Sequence, residues 1–127
     1  MKHNSYMHIW IEAENWSEGE WDIENTNLDV IVTFPNRSKY LASFFTYQNV
    51  ISLTERYKET GENMEGAYFS ASDMVLIDIA SRERIYQLID YLIDNDTFKS
   101  VFTRCPDVEI DEDDLFPEDF FEKKVIK

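Results

Sequence analysis

A stripe of aliphatic residues spaced three and four positions apart is the feature that most constrains this fold. Its members are Ile85, Leu88, Ile89, Leu92 and Ile93. This spacing puts them on one face of an α-helix, and Ser81 stands where the N-cap of that helix is expected. The opposite face, which we expect to meet water, carries Arg82, Glu83, Gln87, Asp90 and Asp94. Such a helix is stable only when its stripe packs on another apolar layer, which the remaining segments must supply.

Three segments near the start of the chain have the pattern of β-strands. Residues 6–11 are rich in aromatic and β-branched side chains, and residues 28–34 alternate large apolar residues with other side chains. A turn signal at Pro35 precedes residues 40–47, which are again rich in aromatic residues. Because so short a connection joins only antiparallel neighbours, the three segments predict a meander. The polar residues 15–27 between the first two strands predict a loop.

A first helix is predicted directly after this meander, near residues 48–60. Its apolar positions recur at helical spacing, and either Thr46 or Asn49 can act as its N-cap. Gly61 stands where a left-handed C-terminal cap belongs. The prediction is therefore a helix with defined ends at both sides.

Two more strands complete the predicted fold. The unbroken apolar run within residues 68–79 predicts a strand in the middle of the sheet, because a strand covered on both faces needs no polar alternation. Residues 98–103 predict a short last strand. The predicted order is βββαβαβ, with two main helices on a mostly antiparallel sheet.

Length and composition indicate one folded α+β domain. A chain of 127 residues falls within the usual size of a single domain, and 43% hydrophobic residues with 15% aromatics is too apolar for a disordered chain. With only three glycines, no Gly-rich phosphate-binding loop is expected. We therefore expect a single domain over residues 1–127.

The net charge is the outlying property of the chain. Twenty-six acidic residues against 12 basic ones give −14 at pH 7. Such a field repels the phosphates of nucleic acids and of anionic membranes, so neither is an expected partner. It attracts a cationic protein surface and speeds association with it. Solubility alone is the competing explanation for part of this acidity.

Two segments combine acidic with aromatic residues and are the predicted partner-binding regions. One is the loop between the first two strands, and the other is an acidic C-terminal segment, residues 107–127, in which a short helix is expected after Pro117. Aromatic side chains can fill pockets while carboxylates meet surrounding Lys and Arg. The competing interpretation is that the aromatics point inward and the acids form a solvated rim. The predicted binding residues are Trp16, Glu18, Glu20, Trp21, Asp22, Glu24, Asp107, Glu109, Asp111, Glu112, Asp113, Asp114 and Phe116.

Residues suited to catalysis or metal binding are scarce. The chain has two histidines, His3 and His8, and one cysteine, Cys105, which is too few for a zinc site and gives no clear nucleophile with a base. His8 falls inside a predicted strand, where a structural role is expected. Asp111, Asp113 and Glu122 have the spacing of calcium ligands, but Leu115 and Phe116 occupy positions that need a ligand and a glycine, so the motif fails. We expect no cofactor and no resident metal.

A lone cysteine and the lack of a long apolar segment indicate a cytoplasmic protein. One cysteine cannot form an internal disulfide, which favours a reducing compartment. The first ten residues contain no apolar run long enough for a signal peptide, and no stretch approaches the length of a membrane span. We expect a protein that stays in the cytoplasm.

The middle of the chain, residues 30–102, resembles small bacterial immunity proteins of toxin and immunity systems, especially those of contact-dependent growth inhibition. The resemblance is carried by the following segments: residues 40–50 (YLASFFTYQNV), 60–62 (TGE), 66–69 (GAYF), 73–77 (DMVLI) and the helix at 85–93. It implies a one-domain α+β protein that neutralises one cognate toxin domain, commonly by covering or distorting its active site. These segments determine the fold, so the resemblance assigns no binding residue.

Together these observations predict a non-enzymatic inhibitor that covers the basic active cleft of a toxin C-terminal domain. A nuclease acting on tRNA or DNA is the expected toxin. Two other functions stay open at this point. One is an acidic adaptor or regulatory subunit that binds a basic housekeeping protein. The other is a small enzyme that uses carboxylates. The sequence leaves the oligomeric state undetermined.

Overall fold

The computed structural model describes residues 7–105 of the protein. Its strands are β1 (His8–Ile11), β2 (Asn27–Thr33), β3 (Lys39–Thr46), β4 (Met74–Ile77) and β5 (Thr103–Arg104). Its helices are α1 (Tyr47–Thr60), α2 (Glu62–Gly66), α3 (Arg82–Asp94) and α4 (Phe98–Val101), and a 3-10 turn covers Glu12–Asn15. The predicted α+β class and the order βββαβαβ of the strands and main helices are confirmed. The predicted C-terminal helix lies outside the described residues.

The strands form one mostly antiparallel sheet in the order β1-β2-β3-β4. The first three make the predicted meander, closed by a turn in which the Arg37 N–H donates to the Phe34 carbonyl at 2.8 Å. β4 runs parallel to β3 and pairs with residues 43–46. β5 is antiparallel and pairs with Tyr40 and Leu41, further along the same side of β3. β3 is therefore the strand around which the sheet is built.

The structure corrects two predictions about the last two strands. β4 was predicted in the middle of the sheet, but in the described part of the chain it pairs only with β3, and Leu76 is 46% exposed. Residues 98–103 were predicted as a strand, but Phe98–Val101 is helical. The reason is the spacing of Phe98 and Phe102, which are four residues apart and both buried, with stacked rings 4.6 Å apart. This spacing suits one turn of helix.

The hydrophobic core lies on the face of the sheet that α3 covers, which we call the inner face. The inner-face residues include Ile11, Leu28, Val30, Val32, Ala42, Phe44 and Ile77. The predicted stripe of α3 packs on them, with Ile85 and Ile89 fully buried, and each such side chain stabilises the fold by about 2 kcal/mol. The predicted cap is confirmed, since the Ser81 side chain accepts a hydrogen bond from the Arg84 N–H.

Asp90 is the one residue of the predicted polar face of α3 that is buried, at 2% exposure. It lies three and four positions from Ile93 and Tyr86, which also pack against the core. The buried surface of α3 is therefore wider than the five-residue stripe, and Asp90 belongs to its flank. The prediction that Asp90 faces water was wrong.

The helix α1 has the predicted ends but buries no residue. The Thr46 side chain accepts from the Asn49 N–H at 3.2 Å, and Gly61 has a φ of 87°. The helix packs through Tyr57, whose ring stacks on Phe69 at 6.4 Å. Beyond Gly61 the chain makes the left-handed turn α2. α1 is thus held by its ends, by this aromatic contact and by partly buried residues such as Val50 and Leu53, which leaves much of its surface exposed.

Candidate functional site

One end of the sheet gathers most of the acidic residues that lie between the strands and main helices of the described chain. β1, β3 and β4 run in the same direction, so the chain leaves all three strands at this end and enters β2 there. The elements found here are the 3-10 turn, the loop of residues 16–26, the start of α1 and the residues between β4 and α3. We call this the acidic end and residues 16–26 the acidic loop.

The acidic loop is fastened to the residues between β4 and α3. The Trp21 Nε1–H donates to the Ala80 carbonyl at 3.0 Å, and the Ala80 N–H donates to the Ile23 carbonyl at 2.8 Å. Trp16 and Trp21 are half-buried and pack against the core. Both tryptophans were predicted to bind a partner, and the structure shows them anchoring the loop. Their direct contact with a partner stays a prediction.

Hydrogen bonds within the acidic loop fix its backbone further. The Ser17 N–H donates to a Glu20 carboxylate oxygen at 2.9 Å, and the Glu20 N–H returns a bond to the Ser17 carbonyl at 3.1 Å. The Glu24 N–H donates to the Asp22 carboxylate at 3.0 Å. These are local bonds of the kind that acidic side chains make in turns, and they hold two of the carboxylates in defined positions.

Four carboxylates of the acidic loop face the solvent. They belong to Glu18, Glu20, Asp22 and Glu24, and all four residues are exposed. Among residues 7–105, the ion pairs of this end join Arg82 to Glu14 and Arg84 to Asp78, so none involves these four carboxylates. Their charge is therefore available to a partner while their backbone is already ordered. This is the part of the predicted binding surface that the structure brings together.

A network of side-chain amides joins the acidic loop to α1. The Asn25 Nδ2–H donates to the Ser52 Oγ at 3.1 Å, and the Asn49 Nδ2–H donates to the Asn25 Oδ1 at 3.0 Å. The Asn27 Nδ2–H donates to the Asn49 Oδ1, also at 3.0 Å. The sequence prediction missed this network. Its only sequence signal is the recurrence of asparagine just before β2, at the first residue of β2 and at the start of α1.

Exposed apolar side chains lie in the segments that form the acidic end. Ile23 is 39% exposed, Tyr47 is 54% exposed and Ile51 is 51% exposed. Ile23 belongs to the acidic loop, while Tyr47 and Ile51 lie on the first turns of α1, beside the amide network. Apolar groups ringed by charged ones are characteristic of protein interfaces. The sequence prediction did not find Tyr47 or Ile51, because it placed one in a strand and the other outside the apolar stripe.

The opposite end of the sheet has a different charge. It contains the turn between β2 and β3, the end of α3, α4 and β5, and we call it the turn end. Its basic residues are Arg37, Lys39, Lys99 and Arg104. Between Lys2 and Arg37, by contrast, the chain has acidic residues and no Lys or Arg. The turn end also holds Asp94 and Asp96, so its charges are nearly balanced, whereas carboxylates outnumber Arg82 and Arg84 at the acidic end.

Of the residues considered for catalysis, His8 and Cys105 lie apart from the acidic loop, and His3 lies outside the described residues. His8 is half-buried on β1, and Cys105 is half-buried at the turn end. Burial raises the pKa of the Cys105 thiol and Asp73 raises it further, while Lys39 lowers it. A raised pKa reduces the thiolate fraction, and the thiolate is the reactive form. Residues 7–105 hold no group of three potential metal ligands.

The predicted binding residues of the C-terminal segment lie outside the described residues. They are Asp107, Glu109, Asp111, Glu112, Asp113, Asp114 and Phe116. The calcium-like spacing at Asp111, Asp113 and Glu122 falls there too. Among residues 7–105, no helix has the length and apolar character needed to cross a membrane.

Comparison with known proteins found no matching family model, curated protein or solved structure. The resemblance to immunity proteins therefore rests on the sequence segments quoted above, and the candidate site rests on the geometry of the acidic end.

Proposed function

We propose that this protein is a cytoplasmic, non-enzymatic immunity protein that binds the basic active cleft of a cognate toxin domain with its acidic end. The toxin class that suits this surface best is a nuclease. The observation that carries the proposal is the acidic loop, on which Glu18, Glu20, Asp22 and Glu24 are exposed on a backbone fastened to Ala80.

The electrostatic argument starts from the substrate of a nuclease. A cleft that binds phosphates presents Lys and Arg side chains, and carboxylates placed in that cleft compete for the same charges. Charge complementarity also speeds the encounter, so an inhibitor can capture its toxin before the toxin meets nucleic acid. The carboxylates of the acidic end would therefore both compete with nucleic acid for the cleft and speed association with the toxin.

The order of the acidic loop adds to the affinity that its charges provide. Holding a flexible segment in one conformation on binding costs about 0.5–1.5 kcal/mol for each immobilised side chain. The bonds from Trp21 to Ala80 and from Glu24 to Asp22 are present before any partner arrives. The exposed Ile23, Tyr47 and Ile51 supply apolar area, which favours slow dissociation.

The proposal is tested by protection from the toxin. The C-terminal domain encoded by the neighbouring upstream gene is expressed alone and with this protein, and growth is followed. Expression alone is expected to stop growth, and co-expression is expected to restore it. If the domain is toxic and the wild-type protein does not protect, the immunity function is wrong.

Two matched variants then test whether the acidic loop is the binding surface. The first neutralises the loop with Glu18→Gln, Glu20→Gln, Asp22→Asn and Glu24→Gln, which keep the side-chain oxygens that accept the loop hydrogen bonds. The second makes the same change of net charge on α1 and α2, with Glu55→Gln, Glu59→Gln, Glu62→Gln and Glu65→Gln, all at exposed positions. The first variant is expected to lose protection and the second to retain it. Equal protection by both would remove the loop from the proposal.

A further inference from the structure

The strand β4 has an unpaired edge in the described part of the chain. β3 is its only described strand neighbour, on one side. The Ser43 N–H donates to the Asp73 carbonyl at 2.8 Å. This bond shows which residues of β4 direct their backbone groups towards β3. In such a pair the bonding residues alternate, so the backbone groups of residues 73, 75 and 77 point towards β3. Those of Met74 and Leu76 point the other way, to the open edge.

The surroundings of this edge are apolar and exposed. A groove of about 520 Å³ runs beside the end of β4, and Leu76, Tyr47 and Tyr91 are among the residues that line it. These three side chains are 46%, 54% and 63% exposed, respectively. The edge therefore offers unpaired backbone groups beside side chains that an added strand could cover.

Carboxylates stand at both ends of β4. Asp73 directly precedes the strand, and Asp78 directly follows it. Asp78 lies 3.2 Å from Arg84, and Asp73 accepts a hydrogen bond from the Thr103 hydroxyl at 2.6 Å. The sequence from Asp73 to Asp78 is thus four apolar residues between two acids, DMVLID. Arg84 pairs with both oxygens of Asp78, whereas Asp73 keeps its negative charge because the Thr103 hydroxyl is neutral. A segment that matches the strand therefore has an apolar centre and a cation at the end beside Asp73.

We propose that β4 binds an extended, cationic segment of the partner protein by strand addition, with main-chain hydrogen bonds to Met74 and Leu76. This deepens the proposed function and rests on it for the identity of the partner, because it states the form in which part of the toxin is held. Main-chain bonds give affinity in this mode of binding, and the carboxylate of Asp73 favours a basic sequence.

The test uses a blocked seven-residue peptide that alternates threonine and valine and has lysine at both ends. Binding is followed by the exchange of individual backbone amide hydrogens. The amides of Met74 and Leu76 are expected to exchange about tenfold more slowly when roughly nine tenths of the protein is bound. Those of Val75 and Ile77, whose backbone groups face β3, are expected to change little.

Two control peptides separate strand pairing from simple charge attraction. One carries glutamate in place of both lysines and is expected to bind about tenfold more weakly. The other keeps the lysines but has every backbone nitrogen methylated, which removes the hydrogen-bond donors of both edges, and it is expected not to bind. Equal binding of the methylated peptide would overturn strand addition.

Substitutions at Leu76 test the same edge from the protein side. Leu76→Pro removes the outward N–H without removing a bond to β3, and Leu76→Thr keeps that N–H while changing the side chain. The proline variant is expected to lose peptide binding and the threonine variant to retain it within about threefold. If the proline variant does not fold, the methylated peptide still decides between the outcomes.

Two results would overturn the proposal. One is unchanged exchange at Met74 and Leu76 at saturating concentrations of the lysine peptide. The other is slow exchange of both amides in the free protein together with a dimer in sedimentation, which would mean that a second copy fills the edge. Because no toxin is used, strand addition can fail while protection by the acidic loop survives.

Discussion

The acidic end and the turn end belong to the same sheet but differ in charge and in construction. The acidic end presents four carboxylates outside the described ion pairs, on a loop fastened by Trp21 and by the Asn25 amide network. The turn end has a tight turn at Arg37 and several basic residues. Charge is thus unevenly distributed over the described domain, and its distribution gives a partner a preferred direction of approach.

The acidic loop is not only charged but also has an ordered backbone. A solvated acidic rim would need no anchoring, since its function would be served by any exposed carboxylate. The acidic loop instead is fastened by a hydrogen bond from the Trp21 side chain and by a backbone hydrogen bond, both to Ala80. Fixed geometry matters for recognition and adds nothing to solubility, so the anchoring favours a binding role for this end.

Reversing the charge of the acidic loop is expected to have the largest effect. Replacing Glu18, Glu20, Asp22 and Glu24 with lysine turns attraction of a basic cleft into repulsion, and the affinity for the toxin domain should fall by about a thousandfold. The measurement is a titration followed by calorimetry. The control places lysine at Glu55, Glu59, Glu62 and Glu65 and should weaken binding by less than about tenfold. Equal losses would show that only the net charge matters.

Removing the anchor of the loop is expected to have an intermediate effect. Trp21→Phe deletes the hydrogen bond to Ala80 but keeps most of the apolar surface, so the free energy of unfolding should fall by about 1–2 kcal/mol. Amide exchange should accelerate across residues 17–25 and stay unchanged at the turn end.

Trp16→Phe is the matched control for this anchor. Trp16 is also half-buried against the core, but the structure gives its ring nitrogen no hydrogen bond among residues 7–105. Its replacement should leave the exchange of residues 17–25 close to that of the wild type. If amide exchange accelerates equally in both variants, packing of the tryptophan rings and not the Trp21 hydrogen bond keeps the loop ordered.

The smallest expected effect is at the turn end, on the reactivity of Cys105. Because burial raises the pKa of its thiol, less thiolate is present at pH 8 than for an unperturbed cysteine, and alkylation by iodoacetamide should be slower. Lys39→Gln removes a charge that lowers the pKa, so alkylation should slow further, by about twofold. Asp73→Asn removes a charge that raises the pKa and should speed it.

A pH series from 7 to 10 shows whether these rates follow the thiolate. The apparent pKa should increase in Lys39→Gln and decrease in Asp73→Asn. Rate changes without a movement of the apparent pKa would indicate altered access to Cys105 and would contradict the electrostatic account.

The elements that were predicted correctly are those determined by residues close together in the sequence. Ser81 and Gly61 mark helix ends through their own side chain or backbone, and the stripe around Ile89 needs only helical spacing to be recognised. The acidic residues of the loop were also predicted, because a carboxylate side chain is identified from the sequence without knowledge of the fold. These parts needed no information from distant residues.

The parts that were missed depend on contacts far apart in the chain. An apolar run such as Met74–Ile77 looks the same in the middle of a sheet and at its edge, and only the pairing shows which it is. The direction of Trp21 is decided by Ala80, 59 residues away. The exposure of Tyr47 depends on how α1 leaves β3. The candidate site was therefore predictable in composition but not in arrangement.

The salt dependence of the association rate tests the central claim most directly. The association rate constant of the toxin domain is measured by stopped flow for three proteins across a series of sodium chloride concentrations. They are the wild type, the variant with a neutralised acidic loop and the variant neutralised on α1 and α2. The last two have the same net charge. The wild type and the α1 and α2 variant should show steep decreases with salt, and the loop variant a shallow one. Equal slopes for the two variants would contradict the account.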